Sequence, residues 1–295
     1  MTAGPPSEVV ALVTAFHPDS RLEDVVRSAL GQCARVVVID NTPTGQPGAA
    51  SVLETRELVH VEASGRNLGL AGALNRGVAI AGDCDGLLLL DQDSVLPSDL
   101  VERLGRHLAA RPDVGIATPA PWDSTASRYL DPRATRRPEV ADVTVAITSG
   151  MLVRRWALND IGPFREDFFV DCIDQDYCLR ARRSDWRVIQ DRSVPLTHSL
   201  GDTRWRGIGP LRFRSTQHPT WRLYWAARNT VVLARENWRT EPLWVCTALA
   251  FLGYSAVTVA LFEPPRATRV RSLLHGARDG WSGRTDETQR PGRAT

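Results

Sequence analysis

The chain has 295 residues, 43% hydrophobic and 24% charged, so it can bury a core and is not disordered by composition. Its formal net charge is +2, and all 36 basic residues are arginine, a general replacement that reflects coding bias and not one site. The cysteines (Cys33, Cys84, Cys172, Cys178, Cys246) are odd in number with no C-x-x-C pair, which argues against zinc ligation or a disulfide framework and fits a reducing cytoplasm.

Met1–Ser7 lacks the basic flank and apolar core of a signal peptide, so export is not predicted. Val9–Phe16 reads as a buried strand and Ser20–Leu30 as a helix capped by Asp19 or Ser20. Val36–Ile39 predicts a second strand, Thr42–Gly48 a turn, Leu58–Glu62 a third strand, Leu70–Ala81 a helix of small residues and Gly86–Leu90 a fourth strand. Continuous Val/Ile/Leu runs separated by helices predict an α/β fold, doubly wound around a mostly parallel sheet with helices on both faces. Beyond it, Ser98–Ala110 predicts a helix, Trp122–Val140 a long loop and Val143–Val153 a strand. Asp171–Arg183 then predicts a helix, and Trp186–Ile189 a short strand leading to His198.

The charge is unevenly placed. Residues 1–200 carry 21 arginines against 27 acids, and residues 201–295 carry 15 against 7. This predicts a body over 1–200 and a basic, mainly helical extension over 201–295, suited to lipid headgroups or a lipid diphosphate; solvated surface arginine is the plain alternative. Leu243–Phe262 is a run of 20 uncharged residues, long enough to span a bilayer. Arginines lie on both sides of it, so a monotopic or re-entrant helix pair, or a core helix, fits better than a crossing. Arg204, Arg206, Arg212, Arg214 and Arg222 interleave with Trp205, Phe213, Trp221 and Trp225. Beside an acidic body this predicts no nucleic-acid binding and favours a membrane-proximal platform for an acceptor.

In an open α/β sheet, ligands bind at the carboxyl ends of the strands. Thr14 and His17 follow the first strand, Asp40-Asn41 the second and Asp91-Gln92-Asp93 the fourth. Asp40 suits the ring N–H of a pyrimidine base, or simply begins a turn before Pro43. Asp91 and Asp93 are two residues apart and share a side of the chain, where their mutual repulsion calls for a hard divalent cation such as Mg²⁺ or Mn²⁺. Asp171, Asp174 and Asp176 fit the N-terminus of a helix without any catalysis; a general base would use the same place. Arg180 reads as an i,i+4 partner of Asp176. His198, in a loop, becomes a sensible ligand if a metal lies nearby.

Together these motifs resemble family 2 glycosyltransferases of the bacterial rhamnosyltransferase-like branch. Val9–Pro18 with Val36–Asn41 resembles the family's nucleotide site, Arg66–Asn75 its Asn-x-Gly-x-Ala helix entry, and Leu90–Ser94 its DxD motif. Ser149–Leu152 and Ile161–Asp171 resemble its acceptor-side segment, and Asp174–Arg180 its base-bearing helix. Tyr224–Asn229 and His275–Gly280 resemble its C-terminal stretches. The resemblance implies a GT-A fold, inversion at the anomeric carbon, and a nucleotide-sugar donor (dTDP- or UDP-linked) held through Thr14, Asp40, Asn67, Gly69, Asp91 and Gln92. It implies a metal at Asp93 and His198, Asp174 as base, and an acceptor side with Asp171, Asp176 and Arg228. Many relatives have Glu-Asp where this chain has Ile173-Asp174, so Asp171 and Asp176 stay open as bases. The Asp-Gln-Asp-Ser form leans towards dTDP-L-rhamnose, with UDP-hexoses and UDP-galactofuranose as alternatives. A polyprenyl-diphosphate-linked glycan acceptor at the inner face of the cell membrane fits the basic, apolar tail.

A rival reading is a haloacid-dehalogenase-type phosphohydrolase, whose D-x-D-x-[TV] pattern Asp91–Val95 matches. Such enzymes open on the nucleophile strand and normally add a basic residue, usually lysine; here three strand–helix units precede Asp91 and there is no lysine, which leaves arginine as the substitute. No G-x-G-x-x-G follows the first strand, which argues against a dinucleotide oxidoreductase.

Overall fold

The computed structural model describes residues 6, 8–49, 53, 56–123, 126–131, 134–197, 203–208, 211–216 and 218–290. The chain divides into two compact units, one of residues 1–166 with 174–199 and the other of residues 167–173 with 200–295.

The first unit opens with β1 (Val9–Ala15), α1 (Arg21–Leu30), β2 (Arg35–Asp40), β3 (Val59–Ala63), α2 (Gly69–Ala81), β4 (Gly86–Asp91) and α3 (Leu100–Ala110). It continues with β5 (Val114–Asp123), β6 (Arg128–Tyr129), β7 (Val140–Asp142), β8 (Met151–Arg154), α4 (Arg155–Ile161), α5 (Ile173–Arg183) and β9 (Arg187–Thr197). The main sheet runs β3-β2-β1-β4-β8-β5-β9-β7, with β6 paired to β5. β1 to β4 are mutually parallel, while β8 is antiparallel to both β4 and β5.

Strand alternation explains the layering. Val9, Ala11, Val13 and Ala15 of β1 point to one face, where they join Leu22, Val25, Val26 and Ala29 of α1 and Leu100, Leu104 and Leu108 of α3 in one core. Leu12 points to the other face, against α2. There a Cβ on Gly77 would collide with the Leu12 side chain, so the small residues of α2 let it lie close to the sheet. The fold is the expected mixed, mostly parallel sheet with helices on both faces.

Four local expectations change. The strand foreseen over Val143–Val153 is only Met151–Arg154, because Gly150 turns with φ +80 and donates its N–H to the Leu89 carbonyl (2.8 Å). The loop foreseen over Trp122–Val140 is partly ordered: β5 runs on to Asp123, and Trp122 packs edge-on against Tyr129 of β6 at 4.9 Å. The last strand of the unit runs to Thr197, well past Ile189, because β5 continues to pair with it. The helix foreseen from Asp171 starts at Ile173, since Asp171 and Cys172 adopt left-handed φ values of 60° and 63°.

The second unit holds β10 (Thr203–Ile208), β11 (Leu211–Thr216), α6 (Thr220–Asn237), α7 (Pro242–Phe262) and α8 (Arg266–Ser282). Of the arginine–aromatic segment, Arg204, Trp205, Arg206, Arg212, Phe213 and Arg214 lie on an antiparallel ribbon, while Trp221, Arg222 and Trp225 lie on α6. Gly276 and Gly280 lie directly on the backbone of α6, where an added Cβ would strike the Tyr224 and Arg228 carbonyl oxygens. Tyr224 donates its hydroxyl to Asp279 (2.9 Å) and accepts the Asp286 N–H (2.7 Å). The two C-terminal motifs are therefore one helix–helix joint.

Candidate active site

Strand order reverses between β1 and β4, since β1 continues to β2 and β3 on one side while β4 adds on the other. Such a switch point opens a crevice beyond the carboxyl ends of the strands. The ladder sets Thr14 opposite Asp91 across β1–β4, and Ala15 opposite Asp40 across β1–β2. Three of the foreseen donor residues thus come to one edge of the sheet.

Gln92 braces that edge. Its side-chain oxygen accepts the Phe16 N–H (2.7 Å) and its amide nitrogen donates to the Phe16 carbonyl (3.3 Å). Asp40 is buried, with one carboxylate oxygen accepting the Thr42 N–H (2.9 Å) and the other the Ala49 N–H (2.6 Å). Both oxygens hold the turn, and each retains a second lone pair. The Thr42 hydroxyl accepts the N–H of His17, whose φ is +47.

Asn41 links this edge to α2. It donates to the Gly69 carbonyl (2.9 Å) and accepts the Leu68 N–H (3.3 Å), while Asn67 accepts the Gly69 N–H (2.9 Å). Gly69 has φ +76, a conformation that favours glycine. Asn67 and Gly69 are thereby set at the N-terminus of α2, where backbone N–H groups attract anions.

Asp93 follows β4, with its side chain 24% exposed and 3.6 Å from the guanidinium of Arg21. Asp91 and Asp93 are hard oxygen donors, a set that suits Mg²⁺ or Mn²⁺. Among the described residues no group of three or more His, Cys, Asp or Glu side chains is placed to hold a metal. His198 lies outside the described residues.

The three acids near α5 separate clearly. Asp176 is buried and pairs with Arg180 (2.7 Å) and Arg165 (3.5 Å), so the i,i+4 reading of Arg180 stands. Arg180 also donates to the Ile161 and Pro163 carbonyls. Asp174, in the first turn of α5, is half-buried and accepts the Gln175 N–H (2.9 Å). Beside them Tyr177 stacks on Phe164 at 4.2 Å; burial pushes its phenol well above the usual range, so it stays neutral. Asp171 belongs to the second unit and forms a two-pronged pair with Arg222 (2.7 and 3.0 Å). Arg228, also there, is buried and uses all five N–H groups on Asp167, Asn229, Arg284 and Thr285. These bonds tie α6 to residues 167 and 284–285.

Sequence reasoning missed two contacts. Ser149 and Ser94 are buried and hydrogen-bonded at 2.6 Å, although 55 residues apart. Asn75 clamps the Phe164 backbone at both its N–H (2.8 Å) and carbonyl (2.9 Å). All four lie inside the quoted motifs, which was the available signal.

The model of the family described as glycosyl transferase family 2 matches residues 11–162, just over half of the chain and including the whole β1–β4 edge. The chain belongs to glycosyl transferase family 2. This family 2 glycosyl transferase is 25% identical over 246 residues to the dTDP-rhamnosyl transferase RfbF of Shigella flexneri, covering 78% of the chain and 81% of the relative. Its fold is similar to that of the mannosyltransferase PcManGT from Pyrobaculum calidifontis, solved with GDP-Man and Mn²⁺ (TM-score 0.59, 16% identity, 95% of this chain and 88% of that one). It is also similar to GalNAc-T7 with UDP, GalNAc and Mn²⁺ (TM-score 0.56, 12% identity, 93% of this chain and 56% of that one). The solved neighbours share the GT-A fold, which the chain adopts.

Proposed function

We propose that this glycosyl transferase moves L-rhamnose from dTDP-L-rhamnose to a hydroxyl of a glycan acceptor, with inversion at the anomeric carbon and a requirement for Mg²⁺ or Mn²⁺. The acceptor we favour is linked to a polyprenyl diphosphate at the inner face of the cell membrane. One observation carries the donor side: Thr14, Asp91 and Asp40 lie at the carboxyl ends of three adjacent strands, beside the point where the strand order reverses. The rhamnosyl donor is supported by the Shigella relative, and the metal by the Mn²⁺-containing neighbours together with the oxygen donors Asp91 and Asp93.

In this reading the base lies over Asp40, the diphosphate near Asp91 and Asp93, and Asn67 and Gly69 line its approach. A bound metal supplies Lewis-acid stabilisation of the charge growing on the leaving diphosphate. The acceptor oxygen attacks the anomeric carbon, and the bond to the diphosphate oxygen breaks on the opposite face. Asp174 takes the acceptor proton. Asp171 and Asp176 are less suited, because each already engages arginine through both carboxylate oxygens, Asp171 with Arg222 and Asp176 with Arg180 and Arg165.

Thermal shift with nucleotide sugars tests the donor, because a ligand that binds only the folded chain raises its melting temperature. dTDP-L-rhamnose should stabilise more than UDP-hexoses or UDP-galactofuranose, and Mg²⁺ or Mn²⁺ should enlarge the shift. Asp93→Ala should remove the metal-dependent part. A larger shift with a UDP-sugar would reassign the donor, and phosphate release from simple phosphate esters would restore the phosphohydrolase reading.

A further inference from the structure

Within the second unit, α7 is apolar on both of its faces. No charge interrupts it from Leu243 to Phe262. Its inner face, with Leu252, Ala256 and Val259, packs on Leu223 and Ala227 of α6 and Leu273 and Ala277 of α8. Its outer face carries Leu243, Thr247, Ala250, Tyr254, Val257 and Leu261, spaced by three and four residues and therefore in one stripe, all exposed. Leu243 is 84% exposed, and Phe251, beside the stripe, 69%. A helix apolar all round belongs in a core or in lipid. Only 17% of its most apolar stretch is buried, so it is not a core helix.

The surroundings of this face point to its occupant. On α8, Arg271, Leu274, Arg278 and Trp281 form an exposed stripe, with Leu274 at 66% and Trp281 at 70% exposure. Between residues 218 and 290 the exposed arginines are Arg235, Arg239, Arg266, Arg271, Arg278 and Arg284. Among the described side chains of that stretch Glu236 is the one exposed acid, while Glu263 and Asp279 are buried against Arg269 and Tyr224. Apolar and aromatic surface rimmed by arginine fits an anionic leaflet, with the guanidinium groups at headgroup level.

We propose that α7, with the exposed stripe of α8, docks in the plane of an anionic lipid bilayer. The helix is about 31 Å long at ~1.5 Å per residue, enough to cross. Crossing would pull Arg271 and Arg278 of the packed neighbour α8 into hydrocarbon, so the helix lies on the leaflet. A second copy on the same face would bring two arginine rims together, which opposes self-association. The inference stands on the second unit alone and does not depend on the donor proposed above.

Vesicle flotation of the full chain tests it, using phosphatidylcholine vesicles with and without about one-third phosphatidylglycerol. The chain should float with the anionic vesicles, and less so as salt rises. Phe251→Asp with Val257→Asp should lower the partition coefficient about tenfold or more. Arg271→Glu with Arg278→Glu should remove the preference for the anionic vesicles. Both changes are at exposed positions, and unchanged helicity and melting will show that the variants fold. No flotation with either vesicle, flotation indifferent to the apolar variants, or a dimer in light scattering that those variants dissolve would each overturn the proposal.

Discussion

Thr14 and Asp91 face each other across the β1–β4 ladder, one residue before Asp40 and Gln92 take up their own bonds at the same edge. A threonine and an aspartate thereby lie side by side on adjacent strands where the strand order reverses.

Gln92→Leu keeps the volume of the side chain but removes both bonds to the Phe16 peptide. A pair of such bonds contributes about 1–2 kcal/mol, so affinity for the proposed donor, dTDP-L-rhamnose, should fall roughly tenfold. Titration calorimetry of the donor reads this directly. Unchanged affinity would make the brace irrelevant to the site.

Asp174→Asn and Asp176→Asn should fail in different ways. The first should lower kcat by ~10²–10⁴-fold with donor affinity nearly intact, as loss of a general base does. The second removes the carboxylate that holds Arg180 and Arg165, and should cost about 3 kcal/mol of stability. Steady-state kinetics beside urea unfolding separates the two. Near-normal turnover in Asp174→Asn would remove the residue from the proposed role of base.

Gly276→Ala places a methyl group against the Tyr224 carbonyl, a backbone atom that cannot swing away. The overpacking should cost about 2 kcal/mol or more, measured by urea unfolding. Gly253→Ala meets nothing within 4 Å on α7 and should stabilise by about 0.5–1 kcal/mol through helix propensity.

Asp191 predicts an acid limb of stability. Burial pushes its carboxyl up, but hydrogen bonds from Ser193 and from His107 (2.7 Å) outweigh it and hold the carboxyl below its ordinary 3.8. The unfolded chain then binds the proton more readily, so this contribution is complete above about pH 4 and is lost as pH falls through the folded value. Asp191→Asn should lower stability at pH 7 by about 1–3 kcal/mol and flatten the decline below pH 4. An unaltered acid limb in thermal melts would show that another group sets it.

Much of the first unit was legible because its signals are local. Continuous runs such as Val36–Ile39 and Leu87–Leu90, short and bounded by turn or helical stretches, read as strands covered on both faces. Where the signal was weak, the outcome depended on distant partners. Val143–Ser149 is as apolar as a strand, yet Gly150 turns towards Leu89 and ends the pattern. Asp171 resembled a helix cap, but Asn229 holds the Val170 and Asp171 carbonyls and keeps that segment in the second unit.

The residue order by itself determined the fold class, the family motifs and the cluster of acids at the strand ends, since each is set by spacing along the chain. Only the tertiary structure decided which acids are tied down. Asp176 and Asp171 are each held by arginine, and the arginine that holds Asp171, Arg222, lies 51 residues along the chain. Contacts of that range are made by packing, and no local pattern encodes them.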